Sequence, residues 1–576
     1  MKIFIAKNAG FCMGVRRAVE MVLDAPNKHE GPIFTYGPLI HNPQVLNLLE
    51  EKGISILPEI PDRGSGTVLI RAHGVPPKAK EDLKAAGFKI IDATCPRVIK
   101  VQTIIRKHSQ QGYASIIIGD KNHPEVIGLL GFAGEKGYVV DSLDDLKYLP
   151  PFDRAIIVAQ TTQNTQFFEK VKNWAARKSP RYIIFDTICN STAKRQAEVR
   201  QLADAVDAVI VVGGLSSGNT RRLSEIAQQT GKPTFHIESE SELDSKVLSS
   251  VKNIGITAGA STPNWIINRI YRTLEILPYT KKQSWRRVLI TIQRTLLLTN
   301  IYVSIGAGCL SYACTKLLGI ANFFPHVLIS ILYVQSMHIL NNLTGTKADR
   351  FNDPERASFY DNNMVLLALL AVIAGGAGLV TAYTLGVIPF LILLAMSILG
   401  LSYNRRFIPG WFTGNKYRRI RDVPGSKTVL IAIAWGIVTA LLPSLSGPSS
   451  SPGTAAVFLW SIGLVFVRTA FFDLLDTQGD RIVGKETIPL LLGEKRTISL
   501  LKAMLVFVLA ALIVSSALHL TSNLGFALAI CPIFVFIVLS AHQRGHMLPG
   551  TRLEFLVETN FVMAGIVAFT WSALIG

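Results

Sequence analysis

The feature that most limits the fold is a change in hydropathy near Val288. Before it, short apolar runs alternate with charged stretches; after it, long apolar segments are separated by basic loops. An apolar stretch of about 20 residues crosses a bilayer as a helix, because hydrocarbon offers backbone polar groups no partner outside their own helix. The 576 residues therefore divide into a soluble half and a polytopic helical membrane half, in keeping with a mean hydropathy of +0.34. The expected domains are 1–280 and 288–576, with a linker at 281–287. Residues 1–6 read as a strand and no long apolar run follows, so no secretory signal is expected and the first half is assigned to the cytoplasm.

Nine spans are expected, at roughly 288–310, 320–340, 362–383, 386–402, 426–445, 454–473, 498–518, 524–541 and 555–575. The net charge of +19 raises the question of nucleic acid, but its distribution argues against it. Lys347, Arg350 and Arg356 follow the second span, and Arg405, Arg406, Lys416, Arg418, Arg419 and Arg421 follow the fourth. Arg481, Lys485, Lys495 and Arg496 follow the sixth, and Arg544 and Arg552 the eighth, whereas the opposite loops hold little beyond Lys316. That is the positive-inside bias of a multi-pass inner-membrane protein, with the bilayer as partner. No basic helix with interleaved aromatics occurs in the soluble half, so no nucleic-acid partner is expected.

Cys12, Cys95 and Cys189 stand alone in the first half, each on a turn after an apolar run. Their separation rules out a CxxC pair or a local zinc knuckle. Three thiolates brought together by a fold can hold three irons of a [4Fe–4S] cluster and leave the fourth open for catalysis. Buried packing, or Zn²⁺ shared with a histidine, are the alternatives. Cys309, Cys314 and Cys531 lie in apolar segments and read as packing residues.

Strand-like runs near residues 68–74, 115–120, 155–162, 208–214 and 254–261 end in small or polar residues, with helical stretches after Pro43, Pro77 and Pro124. Alternating strands and helices imply parallel sheets with ligands at the carboxyl ends of strands. At those ends stand His41, His73, His123, Thr161, Thr162, Ser217, Gly218, Asn219 and Ser261. Imidazoles, hydroxyls and backbone N–H groups together make a diphosphate cradle. Glu125, two residues after His123, is placed to deliver protons. Residues 90–95 and 184–189 are alike, which suggests repeated lobes that each contribute a cysteine.

Over roughly residues 1–280 these motifs resemble the 4-hydroxy-3-methylbut-2-enyl diphosphate reductase family. The resemblance implies a three-lobed α/β fold around a central [4Fe–4S] cluster held by Cys12, Cys95 and Cys189. It implies reductive removal of the substrate hydroxyl, giving isopentenyl and dimethylallyl diphosphates, with electrons from an external ferredoxin- or flavodoxin-type donor. His41, His73, His123, Thr162, Ser217, Gly218, Asn219 and Ser261 would then bind substrate, Glu125 would supply protons and Thr161 would lie near the hydroxyl. Gly218 departs from the family, where a serine is common.

In the second half, Asp473, Asp476 and Asp480 cluster at a span end. Such carboxylates repel unless a cation lies between them, and Mg²⁺ bridging to a diphosphate fits; a solvated helix end is the alternative. This DxxDxxxD pattern, with a second polar cluster after span two, resembles the UbiA superfamily of intramembrane prenyltransferases over about 285–576. The first cluster should read NDxxDxxxD; Asn341 and Asp349 keep its ends, while Asn342 and Gly345 replace two aspartates. The resemblance implies prenyl-diphosphate chemistry with Mg²⁺, and the altered first cluster leaves a prenyl-diphosphate binder or an inactive membrane anchor as alternatives.

Overall fold

The computed structural model describes residues 1–178, 182–248, 251–277, 285–344, 353–403, 423, 425–447, 451–477, 480, 487–544 and 550–575. The chain forms two compact units, Met1–Lys281 and Lys282–Gly576.

The first unit contains three parallel four-stranded sheets. One comprises β2 (Ile33–Tyr36), β3 (Ile54–Leu57), β4 (Thr67–Ile70) and β5 (Lys89–Asp92), in the order β3-β2-β4-β5. Another comprises β6 (Ala114–Ile118), β7 (Gly137–Val140), β8 (Ala155–Ala159) and β9 (Tyr182–Ile184), in the order β7-β6-β8-β9. The remaining sheet joins β1 (Lys2–Ile5) to β10 (Ala208–Val212), β11 (Thr234–Ile237) and β12 (Asn253–Ala258), in the order β1-β12-β10-β11. Numbered within each lobe, the first two sheets share the order 2-1-3-4. The last has the same order with β1, from the far end of the chain, in fourth place; Lys2 pairs with Asn253 and Ile5 with Ile256.

Residues in β6, β8 and β10 are buried at every position, because helices cover both faces of a parallel sheet. Pro43, Pro77 and Pro124 each open a helix, where a missing N–H costs nothing. In a 2-1-3-4 sheet the chain leaves its first and third strands in opposite directions, so a crevice opens between their carboxyl ends. The first unit thus has three such crevices.

The regular elements among the described residues of the second unit are all helices. Among the described residues, six helices are long and apolar enough to cross a membrane: Met364–Thr384, Ser426–Ser444, Pro452–Leu475, Glu494–Ala517, Leu524–Gln543 and Thr551–Leu574. A seventh is obtained if Thr291–Leu298 and Ile301–Leu317 count as one span. This differs from the nine expected. The first expected span is broken by a 75° bend, where Asn300 adopts φ +59° and donates its side-chain amide to Tyr360 Oη at 2.7 Å. Val387–Ser402 has only 16 residues, and the 20-residue Phe324–Leu343 helix carries two histidines, Gln335 and two asparagines. A helix also begins at Trp285, inside the expected linker.

Apolar side chains point outward on these helices, Val365 and Val372 among them, as lipid contact requires. Polar groups turn inward and pair. Ser304 donates to Gln335 Oε1 at 2.7 Å, and Ser330 donates to the Val438 carbonyl at 3.1 Å within the π turn Ile437–Leu441. Cys314 and Cys531 are buried, and a Cβ on Gly565 would stand 2.5 Å from Cys309 Cβ, so all three cysteines lie in helix packing. Arg468 Nε donates to Glu558 Oε1 at 2.9 Å, and its Nη2 reaches the same oxygen. Removing one partner of such a buried pair leaves an uncompensated charge. Glu558→Ala is expected to cost about 3–5 kcal/mol, read as a lower thermal midpoint of the detergent-solubilised chain, while the Arg468→Met/Glu558→Leu double variant recovers most of it. A Glu558→Ala midpoint equal to wild type would show that the pair does not hold this unit together.

Candidate functional site

Each lobe of the first unit contributes a cysteine from the same topological place, the turn after its fourth strand: Cys12 after β1, Cys95 after β5 and Cys189 after β9. Each stands at the N-cap position of the next helix, Met13–Lys28, Pro96–Ser109 and Asn190–Ala205, and the Cys12 sulfur accepts the Val15 amide at 3.4 Å. A helix N-terminus favours negative charge, so all three places suit a thiolate. The three side chains line one cavity of about 90 Å³. A Cβ on Gly14 would lie 2.5 Å from Cys95 Sγ, so glycine is required for the Cys12 turn to approach Cys95. Burial pushes the Cys95 thiol up; two backbone N–H groups oppose this, while Cys12 and Cys189 add to it.

The turns are braced from outside. Asp92 accepts from Thr94 N at 3.0 Å and pairs with Lys80 at 2.6 Å; in the equivalent turn Asp186 pairs with Lys172 at 2.8 Å. The Cys189 helix grips the Cys12 turn: Glu198 accepts from the Lys7 and Asn8 amides at 2.6 and 3.0 Å, and Arg195 Nη2 donates to the Gly10 carbonyl at 2.6 Å.

The same cavity is lined by residues from all three switch crevices. His41 and His73 follow β2 and β4, His123 and Glu125 follow β6, Thr161 and Thr162 follow β8, Ser217, Gly218 and Asn219 follow β10, and Ser261 follows β12. His41, His73 and His123 bring ring nitrogens within 4.8 Å of one another. His123 caps the Pro124–Leu130 helix by accepting the Glu125 amide on Nδ1 at 3.1 Å, which leaves its proton on Nε2. Burial lowers all three imidazole pKa values, His123 to about 4, and the Arg71 guanidinium adds to the effect. The guanidinium charges of Arg71 and Arg222 beside the imidazoles favour an anion over a metal cation. Ser261 donates to Ser217 Oγ at 3.4 Å, and Asn219 has a buried amide nitrogen with no hydrogen-bond partner, as a group awaiting a ligand oxygen would. A Cβ on Gly218 would meet nothing closer than 3.4 Å, so a serine fits there as well.

Glu125 is 1% exposed; its carboxylate accepts the Thr161 amide at 2.6 Å and the Thr161 hydroxyl at 2.8 Å. Burial outweighs those bonds and raises its pKa to about 7. A carboxyl half protonated at neutral pH and wired to a hydroxyl is a proton donor in waiting.

In the second unit, Asp473 is 2% exposed and both of its oxygens are engaged: Lys427 Nζ at 3.0 Å and Thr428 Oγ1 at 2.7 Å. Asp476 and Asp480 lie within electrostatic reach of the same ammonium. Lys427 and Asn341 line a cavity of about 160 Å³ whose other walls are largely apolar. Asp349, Gly345 and the basic residues 405–421 lie outside the described residues.

Both halves of the chain are similar to known proteins. The LytB protein family matches residues 3–275. The 4-hydroxy-3-methylbut-2-enyl diphosphate reductase of Trichlorobacter lovleyi is 42% identical over 275 residues, covering 48% of this chain and 98% of the relative. The chain belongs to the LytB family. The enzyme of that name from Aquifex aeolicus is 44% identical over 276 residues, 46% of this chain and 94% of its own. A solved structure of (E)-4-hydroxy-3-methyl-but-2-enyl diphosphate reductase is 43% identical, with TM-score 0.39, over 48% of this chain and 99% of that one. The UbiA prenyltransferase family matches residues 301–554, so a UbiA domain follows the LytB domain.

The residues of the LytB domain fit a cluster: three thiols from equivalent turns, three helix N-termini, and Arg195, a buried guanidinium close enough to Cys12 and Cys189 to feel both. Arg195, Arg71, Arg222 and Gly14 were not singled out in the sequence, where nothing local separates them from surface arginines and ordinary glycines. The residues of the UbiA domain fit two metal ions poorly. Asn341 and Asn342 carry no charge, and the oxygens of Asp473 are already engaged.

Proposed function

We propose that the LytB domain removes the hydroxyl of (E)-4-hydroxy-3-methylbut-2-enyl diphosphate reductively, giving isopentenyl and dimethylallyl diphosphates. The observation that carries this reading is the convergence of a proton-bearing carboxyl, a neutral imidazole triad and three thiols at helix N-termini on one small cavity. The net change consumes two electrons and two protons and releases the hydroxyl as water, the electrons coming from an external ferredoxin- or flavodoxin-type donor. A [4Fe–4S] cluster held by Cys12, Cys95 and Cys189 would supply those electrons singly and an open iron for the substrate oxygen. His123 Nε2–H, the neighbouring imidazoles, Ser217, Ser261 and the Asn219 amide hold the diphosphate. Glu125 keeps a proton that the Thr161 hydroxyl passes toward the substrate oxygen.

The imidazoles are neutral in the empty cavity, and a bound diphosphate raises their pKa values, so binding takes up protons and tightens as pH falls. Calorimetry of substrate binding in buffers of different ionisation heat is expected to give an uptake on the order of one proton near neutral pH, diminished in His123→Asn. Equal heats for both chains in all buffers would contradict the triad as diphosphate ligand.

In the second unit, the bent pair, Phe324–Leu343 and Val387–Ser402 are read as crossings beside the six long apolar helices, with the LytB domain on the cytoplasmic face of the inner membrane, where the basic loops lie. The UbiA domain binds prenyl diphosphates between the Asp473 turn and the apolar cavity below Asn341. A role as anchor alone is favoured by the missing carboxylates at Asn342 and Gly345. Full conversion of substrate by the reconstituted chain tests the first assignment; substrate recovered unchanged from a cluster-bearing chain sinks it.

A further inference from the structure

Both walls of the UbiA domain offer two metal ions less free negative charge than the two-metal pattern implies. One has lost negative charge, with Asn342 and Gly345 where aspartates are expected. The other carries a positive charge: Lys427 lies 3.0 Å from Asp473, and Thr428 takes the second oxygen at 2.7 Å. Asp473 is almost fully buried, so a counter-ion is obligatory there. Mg²⁺ requires near-octahedral oxygen coordination at short range, which two occupied oxygens beside an ammonium do not offer. The lysine stem lines the apolar cavity together with Asn341, Thr344 and His338, and its side chain is 37% exposed, so the ammonium both neutralises Asp473 and faces a ligand entering the cavity.

We propose that Lys427 is a built-in cation standing in for the metal ion of the Asp473 wall, so that this site takes a prenyl diphosphate with one divalent cation fewer than the two-ion pattern implies. The inference rests on the reading of the UbiA domain as a prenyl-diphosphate site. Lys427 supplies a fixed positive charge to the diphosphate, and any metal ion is left to Asp476, Asp480 and the ligand's own oxygens. The loss of carboxylates on the first wall is then matched by the lysine on the second.

The test uses the full chain in nanodiscs, with Mn²⁺ as metal and geranylgeranyl diphosphate as probe. Bound Mn²⁺ per chain is counted by electron paramagnetic resonance, with the probe present, for wild type, Lys427→Met, Lys427→Arg and a Lys427→Met/Asp473→Asn double variant. Lys427→Met is expected to gain about one Mn²⁺ over wild type, because Asp473 is freed. Lys427→Arg keeps the wild-type count, and the double variant loses the gain. A gain of metal cannot come from misfolding, and Mn²⁺ should also restore the thermal midpoint of Lys427→Met while leaving that of wild type unmoved. Equal counts for wild type and Lys427→Met, with the probe bound to both, overturn the inference alone. Failure of every chain to bind the probe at any Mn²⁺ concentration overturns the reading of the UbiA domain as well.

Discussion

Cys95→Ser leaves the chain without reductase activity and without the visible absorbance of an iron–sulfur cluster. Cys95 supplies the thiol of one lobe, and the other two lobes supply one each, so no fourth cysteine lies in reach to replace it. Serine is close in size but offers a hard alkoxide with a far higher pKa where iron prefers a soft thiolate. The control is Cys314→Ser. That thiol is buried in helix packing of the membrane unit, and its substitution leaves iron content and turnover as in wild type. Iron and sulfide analysis after anaerobic reconstitution separates loss of the cluster from loss of the fold. A Cys95→Ser chain with full iron content would remove this cysteine from the ligand set.

The second large effect falls on Glu125. Glu125→Gln keeps the shape and the hydrogen bond to Thr161 but holds no transferable proton. A positioned general acid contributes about 10²–10⁴-fold, so kcat is expected to drop by that factor while diphosphate affinity stays near wild type. The pH profile carries the sign. Burial disfavours the carboxylate and keeps the proton on Glu125 up to about pH 7, so wild-type kcat falls above that pH and Glu125→Gln loses this limb. The same shift acts on stability. The folded chain holds this proton more tightly than the unfolded chain, whose value is 4.5, so the contribution present at low pH is lost as pH rises through about 7. An unchanged alkaline limb in Glu125→Gln would place the titrating acid elsewhere.

Much of the LytB site is legible in the sequence because its residues follow apolar runs, and an apolar run before a polar turn marks a buried parallel strand. His41, His73, His123, Thr161, Ser217 and Ser261 all stand in such turns, and all line the cavity. The common topology was only half visible. Residues 90–95 and 184–189 look alike because both are a fourth strand and its cysteine turn. The third copy is β1, whose partner β12 lies at the other end of the domain, and no local pattern reports so distant a pairing. Arg195 and Glu198 were invisible for the same reason, since their work is to grip a turn far away in sequence.

In the membrane unit, hydropathy located the apolar helices but could not register the bend at Asn300, which depends on one backbone angle and one hydrogen bond to Tyr360. In the sequence Lys427 ends a basic stretch, 418–427, that looks like the UbiA superfamily. Only its distance to Asp473 distinguishes it from a topology signal.

Cys12, Cys95 and Cys189 are proposed to hold a cluster whose fourth iron is open to substrate. Mössbauer spectra of the ⁵⁷Fe-reconstituted full chain, with and without (E)-4-hydroxy-3-methylbut-2-enyl diphosphate, test it most directly. About one iron in four is expected to give a distinct signal, and this signal alone is expected to shift when substrate binds. Four irons that all stay unmoved by substrate would contradict it.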